Sequence, residues 1–374
     1  MSDPRYTPLR ERHEALGASF TDFGGWQMPV RYTSDLAEHH AVRQSAGIFD
    51  ISHMAEFTVR GEGAGAFLDF ALAGRLSALA VGKAKYSLLL AESGGIIDDV
   101  IVYRLQDDDF LIISNAGNRE AVSAALSART DGFDVAVQDV SDDYALIAVQ
   151  GPQAEAILAA TDAITDVSVP WAEQKYYAWA SANYEGRPLL LARTGYTGED
   201  GFELLVAADD AARLWDALLA AGDAHGLVPA GLAARDTLRL EAGMPLYGHE
   251  LSLDTRPAQA GLGRVVVTAK ERFVGKEALA AAEESAAAAE APVLIGLVAE
   301  GKRAGRAGYA VVDEDGEPLG EITSGALSPT LGHPIAMAYV HPSSAEEGTA
   351  VFLDVRGTRI PATVTALPFY RRTK

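Results

Sequence analysis

The stretch Gly94-Gly95-Ile96-Ile97-Asp98-Asp99-Val100-Ile101-Val102-Tyr103 reads as a β-strand in which two adjacent acids interrupt an apolar run. Side chains alternate across a strand, so Asp98 and Asp99 point to opposite faces, and one of them must enter the interior or a cleft. A carboxylate among Ile and Val is costly to desolvate unless it is paired, protonated or employed in chemistry. The plainer alternative is one solvated acid and one acid closing a local turn. The residues themselves leave both open.

Around this stretch, residues 85–91, the turn Glu92-Ser93-Gly94-Gly95, the strand 96–103, the acidic turn Gln106-Asp107-Asp108-Asp109 and the strand 110–114 form a β-meander. Asn115-Ala116-Gly117-Asn118 then opens a helix to about residue 129, whose amides offer an anion or amide site unless Asn115 is simply its cap. Upstream, the pattern predicts a helix over 9–20, the turn-like Phe23-Gly24-Gly25-Trp26-Gln27-Met28-Pro29, a helix over 34–46 stopped by Gly47, a strand over 55–60 and a helix near 63–73.

Downstream, the strand 144–150, Gly151-Pro152 and the helix 153–160 make one βα unit. Strands over 176–184 and 189–193 lead to Thr194-Gly195-Tyr196-Thr197-Gly198-Glu199-Asp200-Gly201, and residues 202–206 resume the sheet. This loop is glycine-rich, but it holds two acids and no Gly-Lys-Ser/Thr follows, so it is not a phosphate cradle. The helix 211–225 presents a packing face of Leu214, Trp215, Leu218 and Leu219. The helix 232–242 puts Arg235 and Arg239 on one face, suited either to gripping a carboxylate ligand or to ion pairs with Asp236, Glu241 or a neighbouring element. Residues 277–290 are an Ala/Glu helix near a domain boundary, and six short strands beyond it have the spacing of a small barrel or sandwich.

At 374 residues with 48% hydrophobic side chains, two or three domains are expected. A net charge of −21 argues against nucleic acid or an anionic membrane as a general partner. The absence of cysteine excludes disulfides, thiolate chemistry and the usual structural zinc. With no signal-like start and no apolar run long enough to span a bilayer, a soluble cytoplasmic protein is expected. No metalloprotease, Walker, Rossmann or nucleophile-elbow motif is present, and His39, His40 and His53 lack metal-site spacing, so no metal is expected.

Taken in order, Phe23-Gly24-Gly25-Trp26-Gln27-Met28-Pro29-Val30, Phe49-Asp50-Ile51-Ser52-His53-Met54, Gly94-Gly95-Ile96-Ile97-Asp98-Asp99, Ser114-Asn115-Ala116-Gly117, Gln150-Gly151-Pro152, Gly195 through Glu203 and Ala234 through Gly243 resemble the aminomethyltransferase, or T-protein, family of the glycine cleavage system. The resemblance implies an α+β, three-lobed folate-binding fold with a small C-terminal β-barrel or sandwich domain. Residues 1–51 plus 140–255 would form a discontinuous first lobe, 52–139 an inserted meander lobe, and 280–374 the β-rich C-terminal domain. It implies transfer of a one-carbon unit from the aminomethyl-loaded lipoyl arm of H-protein to tetrahydrofolate, with release of ammonia. By residue-by-residue correspondence, Asp99 rather than Asp98 is the catalytic acid, accepting or relaying a proton. Met54, Tyr86, Asn115, Tyr196, Glu203, Arg235 and Arg371 would bind the folate. The alternatives are a folate-dependent demethylase of the same fold and a non-catalytic folate-binding regulatory module.

Overall fold

Antiparallel pairing of Tyr144–Gln150 with Gly201–Ala207 on one side and Ala46–Asp50 on the other builds the centre of a seven-stranded sheet in the computed structural model, which describes residues 4–372. From one edge, its strands run Ile164–Thr165, Trp179–Tyr184, Arg187–Ala192, Gly201–Ala207, Tyr144–Gln150, Ala46–Asp50 and Leu227–Pro229, the last pairing in parallel. Tyr144–Gln150 is apolar along almost its whole length because both of its faces are covered, its residues being buried from Ala145 onward. The helix Ala211–Gly222 lays Leu214, Trp215 and Leu218 into one core with Ile147, Val149 and Leu204, as the spacing of its apolar residues predicts.

A five-stranded sheet follows the order Ala84–Leu90, Ile96–Gln106, Asp109–Ser114, Ala55–Arg60 and Ala136–Asp139. Its first three strands are the expected meander. The C-terminal strands Val293–Ala299, Pro334–Val340, Pro318–Leu327, Ala310–Val312, Ala350–Val355 and Thr358–Thr365 close into a barrel, filled by Leu297, Val311, Ile322, Ala338, Leu353 and Val364. Two compact units result: one from residues up to 68 with 76–86 and 100–236, the other from 69–75, 87–99 and 237 onward.

Three local expectations change. The turn-like Phe23-Gly24-Gly25-Trp26 is the tip of a hairpin, Ser19–Phe23 paired with Trp26–Arg31. Both central glycines have positive φ, +60° and +85°, as a tight two-residue hairpin turn requires. Gly47 does not stop the preceding helix, which ends at Gln44. It lies inside the strand Ala46–Asp50, where a Cβ would come within 2.5 Å of Val42 Cγ2. The single helix expected from Asn115 breaks into a 3-10 turn, Ala116–Asn118, followed by the helix Arg119–Ala128, and the Asn115 side chain does not cap that turn.

Arg239 resolves one of the open alternatives. It is 1% exposed, its Nη1 donates to Glu250 Oε2 at 3.0 Å and to the Met244 carbonyl at 3.2 Å, and its Nη2 donates to Ser324 Oγ at 2.7 Å. It is an ion pair with a neighbouring element. The same helix ends on Glu241, whose carboxylate accepts hydrogen bonds from the Ser328 and Thr330 hydroxyls and whose carbonyl accepts from the Tyr370 amide at 2.8 Å. Removing one member of a buried pair strands the other charge, so Arg239→Met is expected to cost about 3–5 kcal/mol. Replacing both, with Glu250→Leu added, is expected to recover most of that. Thermal unfolding of the two single variants and the double variant measures it, and equal loss in single and double variants would contradict the pairing.

Candidate active site

The loop from Thr194 to Gly201 is held from behind by charges. Arg43 Nη1 donates to the Thr197 carbonyl at 2.7 Å and to Glu199 Oε1 at 3.0 Å, while Arg193 clasps Asp200 through two nitrogens at 3.1 and 2.6 Å. The two acids that argued against a phosphate cradle are therefore struts. Gln150, at the end of its strand, donates through Nε2 to the Thr194 carbonyl at 3.0 Å and accepts at Oε1 from the Thr197 hydroxyl at 2.9 Å. A Cβ on Gly195 would lie 1.9 Å from that Oε1, so the close approach of this side chain demands glycine there.

In front of these struts, Gln150, Tyr196, Thr197, Glu203 and Arg235 line a small pocket together with apolar Phe49, Ile51 and Ala148. The Arg235 guanidinium stacks over the Tyr196 ring, 4.5 Å from its centre, which orients a cation at the pocket. Glu203 sits on the strand Gly201–Ala207 opposite the small residues Ala148 and Ala192, which leave its side chain room. Burial raises the Glu203 carboxyl above the ordinary range, opposed by a hydrogen bond from Thr194, by the charge of Arg235 and by Tyr103. Thr194 Oγ1 donates to Glu203 Oε2 at 2.5 Å, and the Tyr103 hydroxyl lies 3.1 Å from the same Thr194 oxygen.

Asp50 organises the segment that leads to Met54. Its buried carboxylate accepts from the Thr7 hydroxyl at 2.5 Å and from the Ser52 amide at 2.9 Å, and it meets His13 Nε2 at 2.8 Å. Burial alone would push this carboxyl up, but these partners, His13 foremost, hold it below its usual value. His53, three residues on, is 1% exposed, stacks edge-on against Phe23 at 5.5 Å, and neither of its ring nitrogens has a partner among the described residues. Burial, reinforced by the Arg235 charge, lowers its pKa to about 3.

Of the residues singled out in the sequence, Tyr196, Glu203 and Arg235 come together at this pocket. Met54 is half-buried after the Asp50-held turn, Asn115 is half-buried at the end of the strand Asp109–Ser114, and Tyr86 is half-buried on Ala84–Leu90. On Ile96–Gln106 the alternation holds: Asp98 is fully buried, and Asp99 is half-buried on the face shared with Ile101 and Tyr103. Arg371 is exposed. Thr194, Tyr103, Asp50 and His13 were not singled out for a role in the sequence, although Asp50 lies within a quoted motif and Thr194 opens the glycine loop. Among the described residues no cluster of three or more His, Asp or Glu could hold a metal, and no helix is long and apolar enough to cross a membrane.

An α+β unit carrying an acid and a stacked guanidinium at one pocket, with a closed barrel after it in the chain, matches two known domain families. Residues 9–270 fit the GCVT N-terminal domain and residues 293–371 the glycine cleavage T-protein C-terminal barrel domain. The chain is 56% identical over 384 residues to an aminomethyltransferase of Cutibacterium acnes, with all of both chains covered, and 56% identical over 374 residues to one of Streptomyces avermitilis, with 99% of each covered. It is also similar to the crystal structure of the glycine cleavage system aminomethyltransferase T from Bartonella henselae, at 38% identity and a TM-score of 0.90 over 99% of each chain. The chain belongs to the glycine cleavage T-protein family.

A histidine whose pKa is lowered in the fold stays neutral until the pH is far below 6.5. Its contribution to stability is present above the unfolded value and is lost as pH falls toward the folded one. The His53 ring resonances are therefore expected to stay those of a neutral imidazole from pH 8 to pH 5 in nitrogen-15 NMR spectra. A ring that titrates near its ordinary value would show that it is not held as described.

Proposed function

We propose that this enzyme acts in the glycine cleavage system by moving the one-carbon unit of aminomethyl-dihydrolipoyl H-protein to tetrahydrofolate, releasing ammonia and forming 5,10-methylenetetrahydrofolate. The observation that carries the reading is the end-to-end relationship to aminomethyltransferases, over the whole chain and both domain families. The donor set at the pocket fits a folate: a carboxylate backed by neutral hydroxyl donors, a guanidinium stacked on a tyrosine, and an apolar floor of Phe49 and Ile51. When bound, tetrahydrofolate supplies the nucleophilic nitrogens.

The chain's residues bind, orient and handle protons. Glu203 accepts hydrogen bonds from the amino-pyrimidine edge of the pterin, and Arg235 faces polar atoms of the ligand from the opposite charge. Met54, Tyr86, Asn115 and Tyr196 serve as further folate contacts, and Arg371 meets the anionic tail. Asp99 takes or relays the proton that must move as ammonia leaves, and stabilises the cationic character that develops there. The proposed division of labour follows three lobes, 1–51 with 140–255, 52–139 and 280–374. The lipoylated H-protein is the proposed partner.

Given aminomethyl-loaded H-protein and tetrahydrofolate, the protein is expected to release ammonia and form methylenetetrahydrofolate in equal amounts. Folate binding without ammonia release would indicate a binding module, and one-carbon transfer from a methylated amine or sulfonium compound instead would indicate a demethylase. Asp99→Asn should lower kcat by roughly 10²-fold or more with little change in folate affinity, the scale of a lost acid–base group. Asp98→Asn, at a fully buried position on the other strand face, should lower the unfolding temperature and leave turnover per folded molecule near the native value. Equal kinetic losses in the two variants would reassign the role of Asp99.

A further inference from the structure

The three oxygens of Tyr103, Thr194 and Glu203 form a line, and counting their hydrogens gives that line a direction. Tyr103 is 2% exposed, and burial together with the Glu203 charge keeps its phenol protonated well above the ordinary range. A buried phenol that keeps its proton needs an acceptor; Thr194 Oγ1 lies 3.1 Å away, and the Glu203 carboxylate is the second acceptor within its reach. Thr194 is 1% exposed and has a single hydroxyl hydrogen. Once its oxygen accepts from Tyr103, that hydrogen goes to Glu203 Oε2, 2.5 Å away. The Thr194 backbone cannot drift, because its carbonyl accepts from Gln150 Nε2 at 3.0 Å.

We propose that Tyr103 and Thr194 are positioning residues, a one-way O–H chain that fixes Glu203 as a pure acceptor, so that the pocket selects a ligand edge presenting paired N–H donors. The proposal deepens the folate reading and rests on it: a 2-amino-4-oxopyrimidine ring offers such an edge through its ring N–H and amino group. If Glu203 took up a proton, the Thr194 hydrogen already directed at Oε2 would leave the other carboxyl oxygen to carry it, and the ligand would meet a donor where it needs an acceptor. The charged and titratable groups facing this carboxylate are Arg235 from the helix Leu232–Glu241 and Tyr103 from the strand Ile96–Gln106 of the five-stranded sheet. Tyr196 stacks on Arg235, and Tyr176 and Tyr177 bear on Tyr103.

The test uses the full chain and 5-formyltetrahydrofolate, a stable folate, with Kd measured from pH 5 to pH 8.5. Binding through an ionised carboxylate is lost as pH falls through its pKa, and removing a donor raises that pKa, so the loss sets in at higher pH. Thr194→Val is expected to weaken binding roughly 10- to 100-fold at pH 7, the scale of a hydrogen bond to a charged group. Its acid limb should move up by about one pH unit. Thr194→Ser should restore both, and Tyr103→Phe should fall between. An unchanged acid limb in Thr194→Val, or Thr194→Ser behaving like Thr194→Val, overturns the proposal. The Glu203 carboxyl is also titrated in ligand-free protein by carbon-13 NMR, with Glu203→Gln identifying its signal, and a midpoint unmoved by Thr194→Val is equally fatal. Should the unmodified protein not bind the folate at all, the folate reading fails, and the carboxyl titration alone decides whether the chain exists.

Discussion

The carboxamide of Gln150 is the constraint on which the candidate site depends. It fills the space that a Cβ on Gly195 or Gly201 would need, and it bonds to both ends of the tight turn between Thr194 and Thr197. That single group fixes where Thr194 presents its hydroxyl and where Tyr196 leaves the backbone. Glu203 is placed independently, by the ladder that pairs its strand with Tyr144–Gln150, so the acid and the hydroxyl that supports it are referred to the same strand. Glycines, glutamine and threonine in this region answer to one geometric demand.

Where the period of the side chains survives folding, the fold could be read ahead. The strand Ile96–Gln106 of the meander and the barrel strands Pro318–Leu327 and Ala350–Val355 keep a recognisable alternation bounded by turn residues. Ala46–Asp50 is buried at all five positions, which erases the alternation, and it pairs with a strand about a hundred residues later, for which no local signal exists. The hairpin strand Ser19–Phe23 failed for the opposite reason: its exposure pattern is too mixed to mark either face. On Ile96–Gln106, alternation requires Asp98 and Asp99 to part, but which one is covered depends on what packs on each side of the sheet. Helical spacing likewise puts Arg235 and Arg239 on one face, whereas Glu250 and Ser324, distant in the chain, decide that Arg239 is structural.

The charge balance acquires a structural meaning. Thirty-one basic residues face fifty-two acids, and several of the basic groups are consumed in fixing the fold. Arg43, Arg193 and Arg239 each bind an acid and at least one backbone carbonyl, and Lys270 gives all three of its hydrogens to the carbonyls of Asp69, Leu72 and Gly74 at the end of a short helix. Cations used as backbone clamps are spent on shape. The Arg235 guanidinium also lies over the Tyr196 ring at the pocket.

Closure of the C-terminal sheet carries a consequence for recognition. Thr358–Thr365 pairs back onto Val293–Ala299, so neither lateral margin of the sheet is left open. An extended peptide has no rim on which to add itself as a seventh strand, and unwanted sheet-to-sheet growth is blocked by the same wall. Whatever meets this part of the molecule must read its side chains and the turns between its strands, not its backbone.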